Sequence, residues 1–194
     1  MIREQAPAKV NLLLHVGHRR VDGLHEICSL FASVELADEV TVEEAREDRV
    51  ECPGVEGPNL AAAAVAALRQ EVDGRLPPLN VTIEKHIPVA AGLGGGSADA
   101  AATLRAANAL AGAPLEAPAL RRVGAALGAD VPSQIEPRHA LVTGAGEDVE
   151  PISLPPMALV LLTREEGLST AAVYARADAL ATTRAALDRA RARR

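Results

Sequence analysis

A cluster of four glycines restricts the fold of this chain more than any other feature of its sequence. The glycines occupy positions 92 and 94–96 within the segment 88–99, and an alanine-rich stretch follows them. Glycine loses more conformational entropy on folding than other residues, so such a cluster is expected where the main chain passes close to another group. Because the stretch from Ser97 onwards is typical of a helix, the segment predicts a loop that presents backbone N–H groups at a helix N-terminus. That arrangement favours an anion such as phosphate.

The glycine-rich segment differs from two common phosphate-binding motifs. It contains no Gly-Lys-Ser/Thr, which a Walker A loop requires, and Ser97 stands where the dinucleotide fingerprint has its third glycine. A flexible turn, with Ser97 as an ordinary N-cap, is the alternative interpretation.

The composition predicts a folded protein with an aliphatic core. Of the 194 residues, 48% are hydrophobic and 1% are aromatic, and the length suits one domain or one domain with part of a second. The net charge of -6 argues against a general nucleic-acid binder. The N-terminus lacks the pattern of a signal peptide, and no stretch reaches the roughly 18 apolar residues that a membrane span needs. We therefore expect a cytoplasmic protein without a membrane partner. The sequence does not specify its oligomeric state.

The order of the predicted elements favours the α+β class. Strands come first, and strands then alternate with helices without the regular βαβ repeat of a doubly wound sheet. The Pro155-Pro156 step predicts a boundary between two units, 1–154 and 155–194. The predicted strands are 8–16, 27–34, 38–42, 49–52, 79–84, 140–143 and 157–162, and the predicted helices are 60–72, 97–110, 118–127 and 169 onwards.

Lysine is rare in this chain. It occurs at positions 9 and 85, whereas the other positive side chains are arginines. Lys9 and Asn11 are two residues apart on a predicted strand, so both point to the same face and need a partner or a ligand there. The alternative is an edge strand with a solvent-facing lysine. For Lys85 the residue pattern suggests nothing beyond compositional bias.

Two further polar residues follow turn signals. Asp130 comes after a predicted helix end and before Val131-Pro132, where it either caps the next turn or presents a carboxylate on a tight loop. His25 follows the Asp22-Gly23 hairpin signal, and a histidine in that position is usually a surface residue or one whose hydrogen bonds are satisfied within the fold.

Four segments in sequence order carry a resemblance to the GHMP kinase superfamily. They are 6–12, 22–26, 88–99 and 128–132, and the resemblance extends from residue 6 to about residue 174. It implies an N-terminal domain of the ribosomal S5 domain 2-like type, with a left-handed βαβ unit, followed by only the start of a C-terminal domain.

The resemblance also implies a reaction and its site. The γ-phosphate of ATP would be transferred, with Mg²⁺, to the 2-hydroxyl of a small-molecule substrate, a methylerythritol linked to cytidine diphosphate. Asp130 would take the hydroxyl proton, Lys9 would lie beside it, and Asn11 and His25 would line the substrate side, with His25 near the cytosine. The metal ligands are not assigned. The implied ATP-binding residues are Pro88, Val89, Ala90, Ala91, Gly92, Leu93, Gly94, Gly95, Gly96, Ser97 and Ala98.

The chain departs from the superfamily pattern at three places. Leu24 stands where a tyrosine is common, so Phe31 and Tyr174 are the rings left to stack on a nucleobase. Ala90 and Ala91 replace loop glycines, which is tolerable if both have negative φ. A third glycine-rich motif of Gly-Ser-Gly type is missing. The alternatives are therefore a nucleotide-binding remnant without catalysis and another GHMP small-molecule kinase.

Overall fold

The computed structural model describes residues 1–72, 75–162, 167, 169–180 and 182–183. Their strands are β1 (Ile2–Arg19), β2 (His25–Glu44), β3 (Arg49–Glu51), β4 (Leu79–Glu84), β5 (Ala140–Gly144) and β6 (Asp148–Pro151). Their helices are α1 (Leu60–Glu71), α2 (Gly95–Leu110), α3 (Ala117–Leu127), α4 (Val131–Gln134) and α5 (Thr170–Ala179). Strands and helices are mixed in one fold, as predicted for the α+β class.

The strands form one six-stranded sheet. Its order is β3-β4-β2-β5-β6, and β1 pairs with β2. Strand β2 pairs antiparallel with β1, β4 and β5, whereas β3 and β4 are parallel and are connected through α1. Strand β2 is therefore the centre of the sheet, and β3-α1-β4 forms a βαβ unit.

The hairpin at Asp22-Gly23 is confirmed, because β1 and β2 pair antiparallel on either side of it. The two separate strands predicted at 27–34 and 38–42 are wrong, since β2 runs unbroken through both. The pairing of β1 with β2 shifts register between Pro7 and Lys9. A β-bulge of this kind interrupts the alternation of side chains without ending a strand, and this explains the false break.

The main core lies between the helices and the sheet and is built from aliphatic side chains. Helix α2 contributes six alanines with no exposed surface (Ala98, Ala100, Ala101, Ala102, Ala106 and Ala107). Small side chains allow the helix backbone to approach the sheet and α1 closely, which offsets the scarcity of large aromatic residues. Phe31 lies outside this core, in a small cluster with Ile27, Ala140 and Val142.

The helix boundaries follow local capping signals. The side chain of Asn59 accepts the N–H of Ala61 at 2.9 Å and caps α1 as predicted. Helix α2 begins at Gly95, two residues earlier than predicted, and its N-cap is Gly94 with φ 71°. The interpretation of Ser97 as the N-cap is therefore wrong, because the left-handed glycine turns the chain into the helix before Ser97 is reached.

The C-terminal part departs most from prediction. The predicted strand at 157–162 is wrong: residues 152–162 form neither strand nor helix, and Val160 and Leu162 are 86% and 90% exposed. A strand needs a partner for its backbone groups, and none is paired with this stretch among the described residues. Helix α5 confirms the start of the predicted C-terminal helix, while 184–194 lie outside the described residues. The boundary at 154–155 stays a prediction.

Two short elements, α4 and β6, were not predicted. Both contain proline, and β6 is largely exposed, so neither carries a clear periodic signal. None of the helices in the described part of the chain is long and apolar enough to cross a membrane.

Candidate active site

The glycine-rich loop, residues 88–94, connects β4 to α2. The N–H of Ala98 donates to the carbonyl of Gly94 at 2.9 Å, which is the first hydrogen bond of the helix. The N–H groups of Gly95, Gly96 and Ser97 precede it and therefore have no partner within the helix. Backbone donors at this position, together with the helix dipole, favour an anion.

Gly94 is required by its conformation and by its neighbour. Its φ of 71° is one that side chains rarely adopt, and a Cβ here would lie 3.0 Å from Cε of Lys9. The missing side chain therefore makes room for the stem of Lys9 at the start of α2. The N–H of Lys9 also donates to the carbonyl of Leu93 at 2.9 Å, so β1 is attached to the loop directly.

The condition of negative φ at both alanines of the loop is not met at Ala90. Its φ is 57°, whereas Ala91 is not among the residues with positive φ. In the left-handed region the Cβ of alanine approaches a carbonyl oxygen, at a cost of roughly 1–2 kcal/mol. The loop keeps at position 90 the backbone conformation that suits glycine, although the residue is alanine.

Lys9 lies at the centre of a set of polar contacts. The residue is 7% exposed, and its Nζ lies 3.2 Å from Oδ2 of Asp130 and 2.7 Å from Oδ1 of Asn11. The ammonium also lies 4.6 Å from the centre of the Phe31 ring. The structure thus brings together Lys9, Asn11 and Asp130, and the interpretation of Lys9 as a solvent-facing edge lysine is wrong.

Asn11 is oriented by a residue that sequence reasoning missed. Its Nδ2 donates to Oγ of Ser29 at 2.8 Å, and this hydroxyl donates to the carbonyl of Leu13 at 2.6 Å. Because the amide nitrogen is held by Ser29, the amide oxygen faces Lys9. Ser29 is fully buried in β2, and an isolated serine in an apolar stretch gives no sequence signal of this role.

Asp130 lies in the tight turn between α3 and α4. Its side chain is 32% exposed and makes no capping hydrogen bond, so the interpretation as a turn cap is wrong. Gly146, in the turn between β5 and β6, packs closely against this turn: a Cβ at Gly146 would lie 2.2 Å from the carbonyl oxygen of Ala129. This close packing of the β5–β6 turn fixes the backbone immediately before the carboxylate.

His25 and Tyr174 lie next to each other where α5 packs on the start of β2. The side chain of His25 is 7% exposed, its Nε2 lies 2.8 Å from Oδ1 of Asp178, and its ring centre lies 5.1 Å from that of Tyr174. Of the two interpretations from the sequence, the structure therefore supports a histidine whose hydrogen bond is satisfied within the fold, by Asp178 of α5. Burial raises the pKa of Tyr174, and the charge of Asp130 raises it further. Phe31 is 2% exposed beneath Lys9 and cannot stack on a ligand.

Lys85 belongs to a buried ionic cluster with Asp38 and Asp99, which sequence reasoning also missed. Its Nζ donates to Oδ2 of Asp38 and, at 2.7 Å, to Oδ2 of Asp99. Asp38 is fully buried and Asp99 is 3% exposed. Burial raises the pKa of Asp99 to about 7, although Lys85 acts in the opposite direction. The only available signal was the retention of a second lysine in an arginine-rich chain.

Comparison with known proteins identifies the class to which this fold and site correspond. Residues 59–136, which include α1, β4, the glycine-rich loop, α2 and Asp130, match the family model described as the GHMP kinases N terminal domain. This segment of the chain therefore matches the N-terminal domain of the GHMP kinases, the class that the four segments predicted.

Within this class the chain is similar to 4-diphosphocytidyl-2-C-methyl-D-erythritol kinases. It is 43% identical over 190 residues to the protein of that name from Kineococcus radiotolerans, covering 91% of this chain and 58% of the relative. The corresponding protein from Moorella thermoacetica is 46% identical over 175 residues, covering 87% of this chain and 61% of the relative.

A solved structure agrees with these relatives. The crystal structure of a 4-(cytidine 5'-diphospho)-2C-methyl-D-erythritol kinase superimposes with a TM-score of 0.67 at 41% identity, over 79% of this chain and 56% of the other. The chain thus spans about three fifths of the length of the relatives that it matches.

Proposed function

We propose that this chain belongs to an enzyme that transfers the γ-phosphate of ATP to the 2-hydroxyl of 4-diphosphocytidyl-2-C-methyl-D-erythritol. The observation that carries the proposal is the pair of Lys9 and Asp130, 3.2 Å apart and packed against the N-terminal end of α2. A carboxylate and a buried ammonium beside N–H groups that have no partner within the helix combine a proton acceptor with sites for the charge of a phosphate.

The loop would hold the triphosphate of ATP. The N–H groups of Gly95, Gly96 and Ser97 are donors without partners in the helix, and the glycines leave room for the phosphates to approach the backbone. Phosphoryl transfer needs mainly positioning and charge neutralisation, both of which a rigid loop at a helix N-terminus supplies.

Asp130 would act as the base for the attacking hydroxyl. As the 2-oxygen forms its bond to the γ-phosphorus, the bond from that phosphorus to the bridging oxygen of ADP breaks, and the hydroxyl proton passes to Asp130. The ammonium of Lys9 would hold the carboxylate in place and offset the negative charge that develops on the transferred group. Asn11 would fix the position of Lys9 through its 2.7 Å contact.

Mg²⁺ fits this site as a phosphate-bound ion. The described residues contain no group of three or more His, Cys, Asp or Glu side chains that could hold a metal. Mg²⁺ commonly keeps several waters and binds through substrate phosphates with one or two carboxylates, so Asp130 would suffice as the protein carboxylate near it. When bound, the ion would neutralise charge on the phosphate oxygens.

The small-molecule substrate would extend from Asp130 towards His25. His25 and Tyr174 lie side by side, and Tyr174 is the aromatic side chain near the site that is not buried beneath Lys9. A cytosine could stack on this ring, while Leu24, which is 50% exposed, would add apolar contact only. The proposal includes a cytoplasmic location and no nucleic-acid or membrane partner.

The alternatives receive less support. A nucleotide-binding remnant would have no need of Lys9 and Asp130 as a pair, and another GHMP small-molecule kinase would not account for relatives at 43% and 46% identity that share one name. An activity assay separates the three functions. Only the leading function predicts ADP formation that depends on the cytidine-linked substrate.

The test is ADP formation by the 194-residue chain with ATP, Mg²⁺ and 4-diphosphocytidyl-2-C-methyl-D-erythritol. We expect turnover in the wild type and a loss of at least about 100-fold in kcat for Lys9→Arg, because the planar guanidinium cannot replace a compact ammonium packed on Gly94. Arg3→Lys, at a side chain that is 62% exposed on the same strand, is the matched control and should leave kcat unchanged.

Two results would count against the proposal. ATP binding without turnover by the wild type would favour the remnant. Turnover of a different alcohol in preference to this substrate would favour another kinase of the same class.

A further inference from the structure

Asp38 holds the chain that enters the glycine-rich loop. The residue lies in β2 with no exposed surface, and its Oδ1 accepts the backbone N–H of His86 at 2.6 Å and that of Ile87 at 2.8 Å. Two backbone donors on one buried oxygen fix residues 86 and 87 relative to the central strand of the sheet. The loop begins at the next residue, Pro88.

Lys85 connects this entry to the helix that leaves the loop. Its Nζ donates to Oδ2 of Asp38 and, at 2.7 Å, to Oδ2 of Asp99 on α2. The entry strand and the exit helix are therefore joined to one another and to β2 through a single ammonium group. Residues 88–94 span the space between these two fixed ends.

Gly95 at the start of α2 is shaped to this connection. A Cβ at Gly95 would lie 3.2 Å from Nζ of Lys85 and 3.2 Å from Cγ2 of Ile87. A larger residue here would require Lys85, Ile87 or the first turn of α2 to shift by a few tenths of an ångström. The compact ammonium, the glycine and the buried isoleucine thus pack together directly beneath the phosphate-facing end of the helix.

The contacts of Lys85 make it unsuitable as a direct phosphate ligand. Its side chain is 14% exposed, and two carboxylates already take its hydrogen bonds. Burial opposes its charge, but the hydrogen bonds to Asp38 and Asp99 outweigh that effect and raise the pKa of Lys85, so the ammonium persists. Two carboxylates share this one cation, with Cys52 as a further titratable group nearby.

We infer that Lys85 is a positioning residue: by bridging Asp38 and Asp99 it holds the two ends of the glycine-rich loop at the separation in which the loop receives the nucleotide phosphates. This inference rests on the proposed function, in which the loop binds ATP. It assigns a role to the second lysine of the chain without placing it in contact with the substrate. Misplacement of a binding loop by a fraction of an ångström is sufficient to weaken binding and catalysis.

The experiment measures the Kd of ATP with Mg²⁺ by calorimetry and the KM of each substrate, using the whole 194-residue chain. Lys85→Met keeps most of the stem and removes the charge. We expect its Kd and KM for ATP to rise by about tenfold or more, while the KM of the alcohol substrate stays within about twofold.

Two further variants keep the inference testable if Lys85→Met does not fold. Asp99→Ala removes the bridge to α2 but leaves the neutral pair of Lys85 and Asp38, so it should fold and show the same selective weakening of ATP binding. Arg69→Met breaks an ion pair with Asp48, 2.8 Å from Nη2 to Oδ1, away from the loop. It should lower the melting temperature while leaving the Kd of ATP unchanged.

The outcomes separate this inference from the proposed function. A wild type that binds ATP, together with a folded Lys85→Met or Asp99→Ala variant of unchanged ATP affinity, would overturn the positioning role alone. If these variants bound both substrates more weakly by the same factor, or if Arg69→Met also bound ATP more weakly, Lys85 would have only a general structural role. A wild type that binds no ATP would overturn the proposed function and this inference with it.

Discussion

Replacing Asp99 by asparagine should change how the stability of the protein depends on pH. Burial raises the pKa of Asp99 from 3.8 to about 7 in the folded chain. The folded state therefore binds more protons than the unfolded state between about pH 4 and pH 7, and the free energy of unfolding falls as the pH rises through that window. A difference of about 3 pH units corresponds to ~4 kcal/mol in total.

The loss in the accessible pH range is smaller than this total. Between pH 5 and pH 8 the wild type should lose about 2–3 kcal/mol through Asp99, because part of the window lies below pH 5 and the loss levels off above pH 7. The side chain of asparagine does not titrate, so Asp99→Asn should lack this slope. The free energy of unfolding of the variant minus that of the wild type should therefore rise from pH 5 to about pH 7 and level off above it.

The assay is urea denaturation of both proteins at half-unit steps from pH 5 to pH 8. Asp48→Asn is the matched control: the hydrogen bond from Arg69 lowers the pKa of Asp48 against the effect of its partial burial, so this group titrates below the range studied. Its difference from the wild type should be constant. If the difference for Asp99→Asn is equally constant, within about 0.5 kcal/mol, the buried carboxyl is not protonated as we describe.

Three other substitutions test the loop and the site. Ala90→Gly should raise the free energy of unfolding by about 1 kcal/mol in urea denaturation, because it removes the strain of a φ of 57°, and a loss of stability would refute this account. Gly94→Ala should abolish ATP binding in calorimetry without unfolding the chain. The new Cβ would lie 3.0 Å from Cε of Lys9 and would therefore displace the lysine side chain. Ser29→Ala frees the amide of Asn11 to rotate and should lower kcat by about tenfold with little change in the KM of ATP, whereas Ser29→Thr should retain part of the activity.

The sequence predicts those parts of the fold in which local signals agree. Asn59 before an alanine-rich stretch marks the start of α1 because its side chain caps the helix, and the alternating pattern of 79–84 coincides with β4. Similarly, the spacing of Lys9 and Asn11 on one strand predicts that both face the same partner, and the structure places both next to one another.

Features that depend on distant residues were not predictable in this way. The cluster of Lys85 joins Asp38 and Asp99, which are 47 and 14 residues away in sequence, and each reads locally as an ordinary strand or helix residue. The positive φ of Ala90 is imposed by the loop and not by the preference of alanine. The apolar stretch at 157–162 shows the converse, because strand-like residues form no strand without a partner among the described residues.

The burial of both lysines has a practical consequence for the chemistry of the protein surface. Lys9 and Lys85 are the only lysines of the sequence, and each is engaged with carboxylates, so neither presents a freely accessible amine. An amine-reactive acylating dye would therefore react only slowly with the lysines of the folded chain. The rate of acylation at Lys9 or Lys85 would measure how often the two ends of the loop open, and bound nucleotide should lower that rate.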